Sequence, residues 1–171
     1  VRGEMRVRIH SHRSDDIRTA MRIAEEFGLD YSIEHATEGY LIRDLLAQKK
    51  VTCVIGPLLM DPVKAEVWNK KMENAGMLAD AGVKICLTAD TGSGTQWLPM
   101  HVGLLMRRGL SEEAAFRAVT IHPAELLGLE KRVGSIEAGK DADLAIFDGH
   151  PFSNMTLCVR TIIDGEVFEN R

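Results

Sequence analysis

Apolar and polar residues alternate through Met5-Arg6-Val7-Arg8-Ile9-His10, and this period of two predicts a strand. The period then changes. Ser14, Asp15 and Asp16 offer an N-cap and first-turn acids. Ile17, Ala20, Met21, Ala24 and Phe27 follow at helical spacing, and Gly28 falls at the C′ position. Tyr31 to His35 predict a second strand, and Leu41, Ile42, Leu45 and Leu46 stripe a second helix. Val51 to Ile55 form a third strand, closed by Gly56-Pro57. A long loop, a helix around Asn69–Ala81 and a fourth strand over Val83–Leu87 come next. Helices over Leu98–Arg107 and Glu112–Val119 precede a short one with Pro123 at its start and Gly128 just past its end. Four consecutive βα units imply a parallel sheet with helical crossovers.

From Val133 the pattern changes character. Asp143–Phe147, Val159–Ile163 and Val167–Phe168 read as short strands, separated by turn signals such as Asp148-Gly149 and Asp164-Gly165. No helical period remains, so a small β unit follows the α/β part.

Composition narrows the class. The 171 residues are 45% hydrophobic and 27% charged, which argues against a disordered chain. A formal net charge of −4 gives no reason to expect nucleic acid or an anionic membrane as partner. No apolar run approaches the ~20 residues of a spanning helix, and the first ten residues lack a signal-peptide apolar region. Cys53, Cys86 and Cys158 are scattered and odd in number, and they read as reduced structural thiols in a cytoplasmic protein. The chain opens on Val1 and enters a strand pattern almost at once, as a reading frame cut in its middle would.

In α/β sheets and barrels, reactive side chains collect at the carboxyl ends of the strands. His10 (with His12) ends the first predicted strand, His35 ends the second, and Asp90 follows the fourth, so one face of the fold should carry all of them. Imidazole and carboxylate suit Zn²⁺ and related divalent ions, and a carboxylate beside an activated water serves as general base. Each residue also has an ordinary reading: a strand-terminal histidine as a hydrogen-bonding group, Asp90-Thr-Gly as an Asx-turn. His101, His122 and His150 are assigned structural roles, His122 as a cap before Pro123, and Trp68, Trp97 and the methionines are read as core or loop packing. Gly92-Ser93-Gly94 lacks both the Walker lysine and the Rossmann spacing.

Two longer motifs add a resemblance. Val133-Gly-Ser-Ile-Glu-Ala-Gly-Lys-Asp-Ala-Asp-Leu-Ala-Ile-Phe-Asp148 resembles the C-terminal segment of the amidohydrolase superfamily, and Thr120-Ile-His-Pro-Ala-Glu-Leu-Leu-Gly128 the helix just before it. Val7-Arg-Ile-His-Ser-His and Ile33-Glu-His-Ala-Thr-Glu38 are similar to strands five and six of the imidazolonepropionase-like and prolidase-like branch, and Ile85-Cys-Leu-Thr-Ala-Asp90 to strand eight. The resemblance implies the second half, strands five to eight, of a metal-dependent-hydrolase (β/α)₈ TIM barrel plus part of a small β-sandwich. Residues 1–128 would be the half-barrel and 129–171 the C-terminal part of the composite sandwich. It implies metal ligands at His10, His35 and Asp90, with Asp90 also taking a proton from the attacking water, and substrate contacts from His12 and Arg13.

The implied function is metal-dependent hydrolysis of a C–N bond in a cyclic or peptide-like amide. The cofactor would be a divalent metal, zinc first, with one or two ions in the complete protein. The first-strand His-x-His pair and the fourth-strand lysine or glutamate of the family have no counterpart, and Thr91 stands where relatives often carry His. A barrel of ~250 residues does not fit in this length. These departures support an alternative, a catalytically inactive half-barrel that acts only as a folded, associating fragment. A receiver-like signalling domain ranks last, since it needs an acidic pocket where His10-Ser-His-Arg13 stands. Expected partners are a small-molecule substrate and further copies of the chain, because a half-barrel leaves strand edges unpaired.

Overall fold

The computed structural model describes residues 3–59 and 64–170. Four βα units build the first part. Strand β1 (Val7–Ser11) leads to α1 (Ser14–Glu26), β2 (Tyr31–His35) to α2 (Arg43–Gln48), β3 (Thr52–Ile55) to α3 (Asn74–Asp80), and β4 (Ile85–Leu87) to α4 (Leu98–Arg107). Two more helices, α5 (Glu112–Val119) and α6 (Ile121–Leu127), complete this part. The strands form one parallel sheet in the order β1-β2-β3-β4. Val7 pairs with Tyr31, Ser32 with Thr52 and Cys53 with Ile85, so the strands end close to level.

Alternation along the strands sorts the side chains onto two faces. Ile33, Cys53, Ile55, Ile85 and Leu87 are buried and pack on the helices through Ile17, Met21, Leu46, Leu78, Val102, Leu105, Ala115 and Ala118. On α1, Ile17, Met21 and Ala24 recur at four and three residues and make its buried face. The opposite sheet face changes chemistry across its width. Arg8 and Glu34 form an ion pair at 2.9 Å at the β1–β2 end, while Val54 and Cys86 pack with Leu126 of α6 at the other.

Strand β4 is the last of its sheet, and α6 covers part of its open edge. The Cys53 N–H bonds to Lys84 O and the Thr88 N–H to Ile55 O, so Ile85 turns its carbonyl away from β3. His122 Nδ1 donates to that carbonyl at 2.9 Å, and Lys84 pairs with Glu125 at 2.7 Å. His122 is therefore not a cap before Pro123 but a residue inside α6, which begins at Ile121.

The tail forms a three-stranded antiparallel sheet of β5 (Leu144–Phe147), β6 (Cys158–Ile163) and β7 (Glu166–Glu169). Ile163 pairs with Glu166 across a two-residue turn, Asp164-Gly165, in which both residues have positive φ (51° and 82°). That conformation matches the twist of an antiparallel hairpin and suits Asp-Gly. The Phe152 side chain, just before β6, packs into the main core.

Several expected bounds move for physical reasons. Strand β1 starts at Val7, where pairing with Tyr31 begins. The helix expected from Asn69 starts at Asn74, because Asn69 is bound to Glu38 and Tyr40 and Lys71 lies over the Tyr40 ring. The Leu41–Leu46 stripe divides into a 3₁₀ turn, Gly39–Ile42, and α2, leaving Leu41 58% exposed. Trp68 and Trp97, expected in packing, are 70% and 55% exposed. No helix among the described residues is long and apolar enough to cross a membrane.

Candidate metal centre

The carboxyl ends of β1 and β2 bring three imidazoles together. Ring centroids of His10, His12 and His35 lie 4.3–4.7 Å apart, and one ligand nitrogen from each falls within 4.8 Å of the others. His10 and His12 point the same way because they sit two residues apart in extended chain. Ser11 pairs with His35 in the ladder, which sets the second strand's histidine beside the first strand's pair.

Each ring's orientation has a cause. His35 Nδ1 lies 2.5 Å from Gly56 O, and a carbonyl only accepts, so the ring carries its proton on Nδ1. The lone pair of His35 is thus on Nε2. His12 Nδ1 lies 2.7 Å from Thr37 Oγ1, and its Nε2 lies 2.9 Å from His10 Nε2. Holding one ring nitrogen by protein fixes the other for a ligand, the arrangement usual around metal-bound histidine. Gly56 itself has φ 138°, and a Cβ there would stand 1.9 Å from Thr88 O, so the close approach of the β3 and β4 ends requires glycine.

Electrostatics disfavour the charged form of two of the rings, His12 and His10. Burial, followed by Lys64, His35 and His10, pushes His12 down to about 4. Burial, His35 and Lys64 likewise lower His10, against the opposing pull of Glu66 and Asp90. Neutral imidazole is the ligand form.

Behind the rings lies a buried carboxylate. Glu38, 5% exposed, accepts from the Ser14 N–H at 2.9 Å and the Ser14 hydroxyl at 3.2 Å through Oε2, and from Asn69 Nδ2 at 2.7 Å through Oε1. Its own N–H donates to His12 O at 2.8 Å. Burial raises the Glu38 pKa, but the hydrogen bonds from Ser14 and Asn69, with Arg13 nearby, outweigh it and hold the carboxylate below its ordinary value. The charge also sits at the N-terminus of α1, where the helix dipole favours it.

The Amidohydrolase family model matches residues 6–168. The chain belongs to the amidohydrolase family. Among curated members, an imidazolonepropionase from Geobacillus kaustophilus is 39% identical over 99 residues, covering 56% of this chain and 23% of that enzyme. The crystal structure of an amidohydrolase from Thermotoga maritima superposes with a TM-score of 0.94 at 44% identity, over 99% of this chain and 45% of the other. A prolidase complexed with N-methylphosphonate-L-proline superposes at 0.74 with 19% identity, over 96% and 45%, and shows the fold alone. The chain spans less than half the length of these amidohydrolases.

Within this amidohydrolase chain the expected site residues divide. His10 and His35 meet, as placed by the strand ends. His12, expected against substrate, stands inside the imidazole cluster. Asp90 follows β4 on the same end of the sheet, exposed, with φ 51° and its N–H on Thr88 Oγ1 at 3.1 Å, but its carboxylate is not among the three grouped ligands. Arg13 is turned to Asp15 at 3.0 Å. Sequence reasoning missed Thr37, Glu38, Lys64, Glu66 and Asn69. The signal available for the last three was the length of the loop after β3, since long loops at the strands' carboxyl ends tend to be functional.

Proposed function

We propose that the chain is the C-terminal portion of a metal-dependent amidohydrolase that cleaves a C–N bond in a cyclic or peptide-like amide. The observation that carries this is the cluster of three imidazoles, two with Nδ1 already engaged by Gly56 O and Thr37 Oγ1. Three imidazoles within 4.8 Å fit a divalent ion, zinc foremost, and His10, His12 and His35 would hold it. Such an ion, when bound, supplies Lewis-acid polarisation of a carbonyl and a more acidic water. Asp90, exposed at the same end of the sheet, is the carboxylate that takes a proton from the attacking water and returns it to the leaving nitrogen. Arg13, next to His12 in the chain, and Lys64, whose charge acts on His10 and His12, would contact substrate.

The four βα units fit strands five to eight of a (β/α)₈ barrel, with residues 1–128 as the half-barrel. The tail, residues 129–171, fits one part of a composite sandwich, consistent with Ile136, Leu157 and Ile163 standing exposed (87%, 68% and 53%). A second reading, an inactive associating fragment, is favoured by the absence of Asp90 from the grouped ligands.

Calorimetric titration of zinc into the full chain tests the assignment. His10→Ala and His35→Ala should each weaken binding at least tenfold, about 1.4 kcal/mol, while His150→Ala leaves it unchanged. Equal affinity in all variants would remove the metal reading.

A further inference from the structure

The segment after β3 would ordinarily be a loose loop, yet residues 64–71 are fixed at several points. Val67 is 2% exposed. Asn69 Nδ2 donates to Glu38 Oε1 at 2.7 Å and the Tyr40 hydroxyl donates to Asn69 O at 3.1 Å. Lys70 Nζ donates to Leu58 O at 2.9 Å, and Lys71 Nζ lies 4.6 Å from the centre of the Tyr40 ring. The anchors hold the start of the segment, Lys64 to Glu66, against the imidazole cluster.

There the segment places one charge pair in a particular order. Glu66 Oε1 lies 3.8 Å from His12 Nε2, and the Lys64 ammonium bonds to that same oxygen. A carboxylate oxygen therefore stands between an ammonium and a ring of the cluster. Both charged side chains remain accessible, at 41% and 39% exposure, so solvent-borne groups reach the position that Glu66 occupies. An exposed pair of this kind contributes little to stability, and a ligand anion of the same chemistry competes with it. A neutral group does not, because it would leave Lys64 without a counter-charge.

We infer that the space between Lys64 and the imidazole cluster is an anion subsite, in which Lys64 holds a carboxylate or phosphate oxygen of the substrate and Glu66 is a resident stand-in that this group displaces. That the anion belongs to a substrate rests on the hydrolase reading above; the subsite itself does not. Lys64 is then a specificity residue, selecting amides that carry a negative group beside the bond to be cleaved.

The test uses the full chain without added metal. Inorganic phosphate and acetate are titrated separately while the imidazole resonances of His10 and His12 are followed by NMR. Glu66→Gln, which removes the internal competitor, should bind at least one of the two anions about tenfold more tightly than wild type. Lys64→Gln should bind about tenfold more weakly, and Lys64→Arg should retain most of the affinity. The better of the two anions tells a carboxylate-bearing from a phosphate-bearing substrate. Indifference of both anions to all three substitutions overturns the subsite, as does weaker binding by Glu66→Gln. Zinc titrations on the same proteins separate the two readings. Failure of zinc to bind wild type removes the metal centre and leaves the anion result standing. Normal zinc binding with anion affinities unmoved removes the subsite alone.

Discussion

Replacing Glu38 with Ala should be among the most damaging single changes near the site, although Glu38 lies behind the imidazoles. The carboxylate is 5% exposed and accepts three hydrogen bonds, two from Ser14 and one from Asn69. Truncation strips the first helical N–H of α1 of its acceptor, and loss of such a cap costs about 1 kcal/mol. It also leaves the Asn69 amide and the Ser14 hydroxyl short of a partner in a buried place, at about 1–3 kcal/mol for an unsatisfied group. Water entering the cavity offsets part of this, so the expected loss is about 3 kcal/mol. For a chain of this length that lowers Tm by roughly 6–12 °C. Glu38→Gln should cost only about 1 kcal/mol, because an amide keeps one acceptor and Asn69 can turn its own oxygen to the new donor. Urea denaturation followed by far-UV circular dichroism measures both. Amide exchange should rise over residues 64–71 in the alanine variant. The Glu38 carboxylate is held below its ordinary pKa, so its stabilisation is complete above the ordinary glutamate range and disappears as pH falls through the folded value. The wild type–alanine difference should therefore shrink in acid. A loss under about 1 kcal/mol at neutral pH, or unchanged exchange over residues 64–71, would refute the reasoning.

His12 gives a second acid signature: its folded pKa of about 4 lies below the ordinary 6.5, so stability is complete above 6.5 and declines toward 4. Denaturation at a series of pH values should show a shallower decline for His12→Gln, and parallel curves would count against a buried neutral ring. Gly103→Ala would place a Cβ 2.2 Å from Phe152 O, where α4 meets the tail, and should cost about 1–3 kcal/mol by urea denaturation. Wild-type stability in that variant would mean the two segments separate easily. The open inner face of the sheet, with Arg8 and His10 exposed, and the uncovered tail should drive self-association. Sedimentation equilibrium at micromolar concentration should find a dimer or larger, and a cooperatively melting monomer would contradict this.

Elements fixed by local periodicity were legible in the sequence. Tyr31–His35, Leu98–Arg107 and Glu112–Val119 stand where apolar spacing puts them. Long-range contacts were not legible. Ser14 reads as an N-cap, yet Arg13 takes that position without a side-chain bond, and the acceptor for the Ser14 N–H comes from Glu38, 24 residues on. The helix expected from Asn69 starts late because Asn69 is bound to Glu38 and Tyr40, partners that only folding brings near. At the site, strand ends located His10 and His35. The entry of His12 into the cluster depended on Thr37 holding its ring, and the exposure of Trp68 and Trp97 followed from loop placement that apolar character does not report.

His35 and Asp90 both adopt positive φ (71° and 51°), as does Ala36 between His35 and the buried Thr37 (40°). Side chains with a Cβ are disfavoured there, and glycine would relieve the strain at each position. A search for more stable variants scored on melting alone would therefore be drawn to His35→Gly and Asp90→Gly. Those are the substitutions that delete an imidazole from the cluster and the exposed carboxylate at the same end of the sheet. In a lineage under selection for function, persistence of His and Asp at these strand ends records stability forgone. In a copy released from that selection, drift toward glycine at positions 35 and 90 would be an early sign that the proposed site was no longer in use.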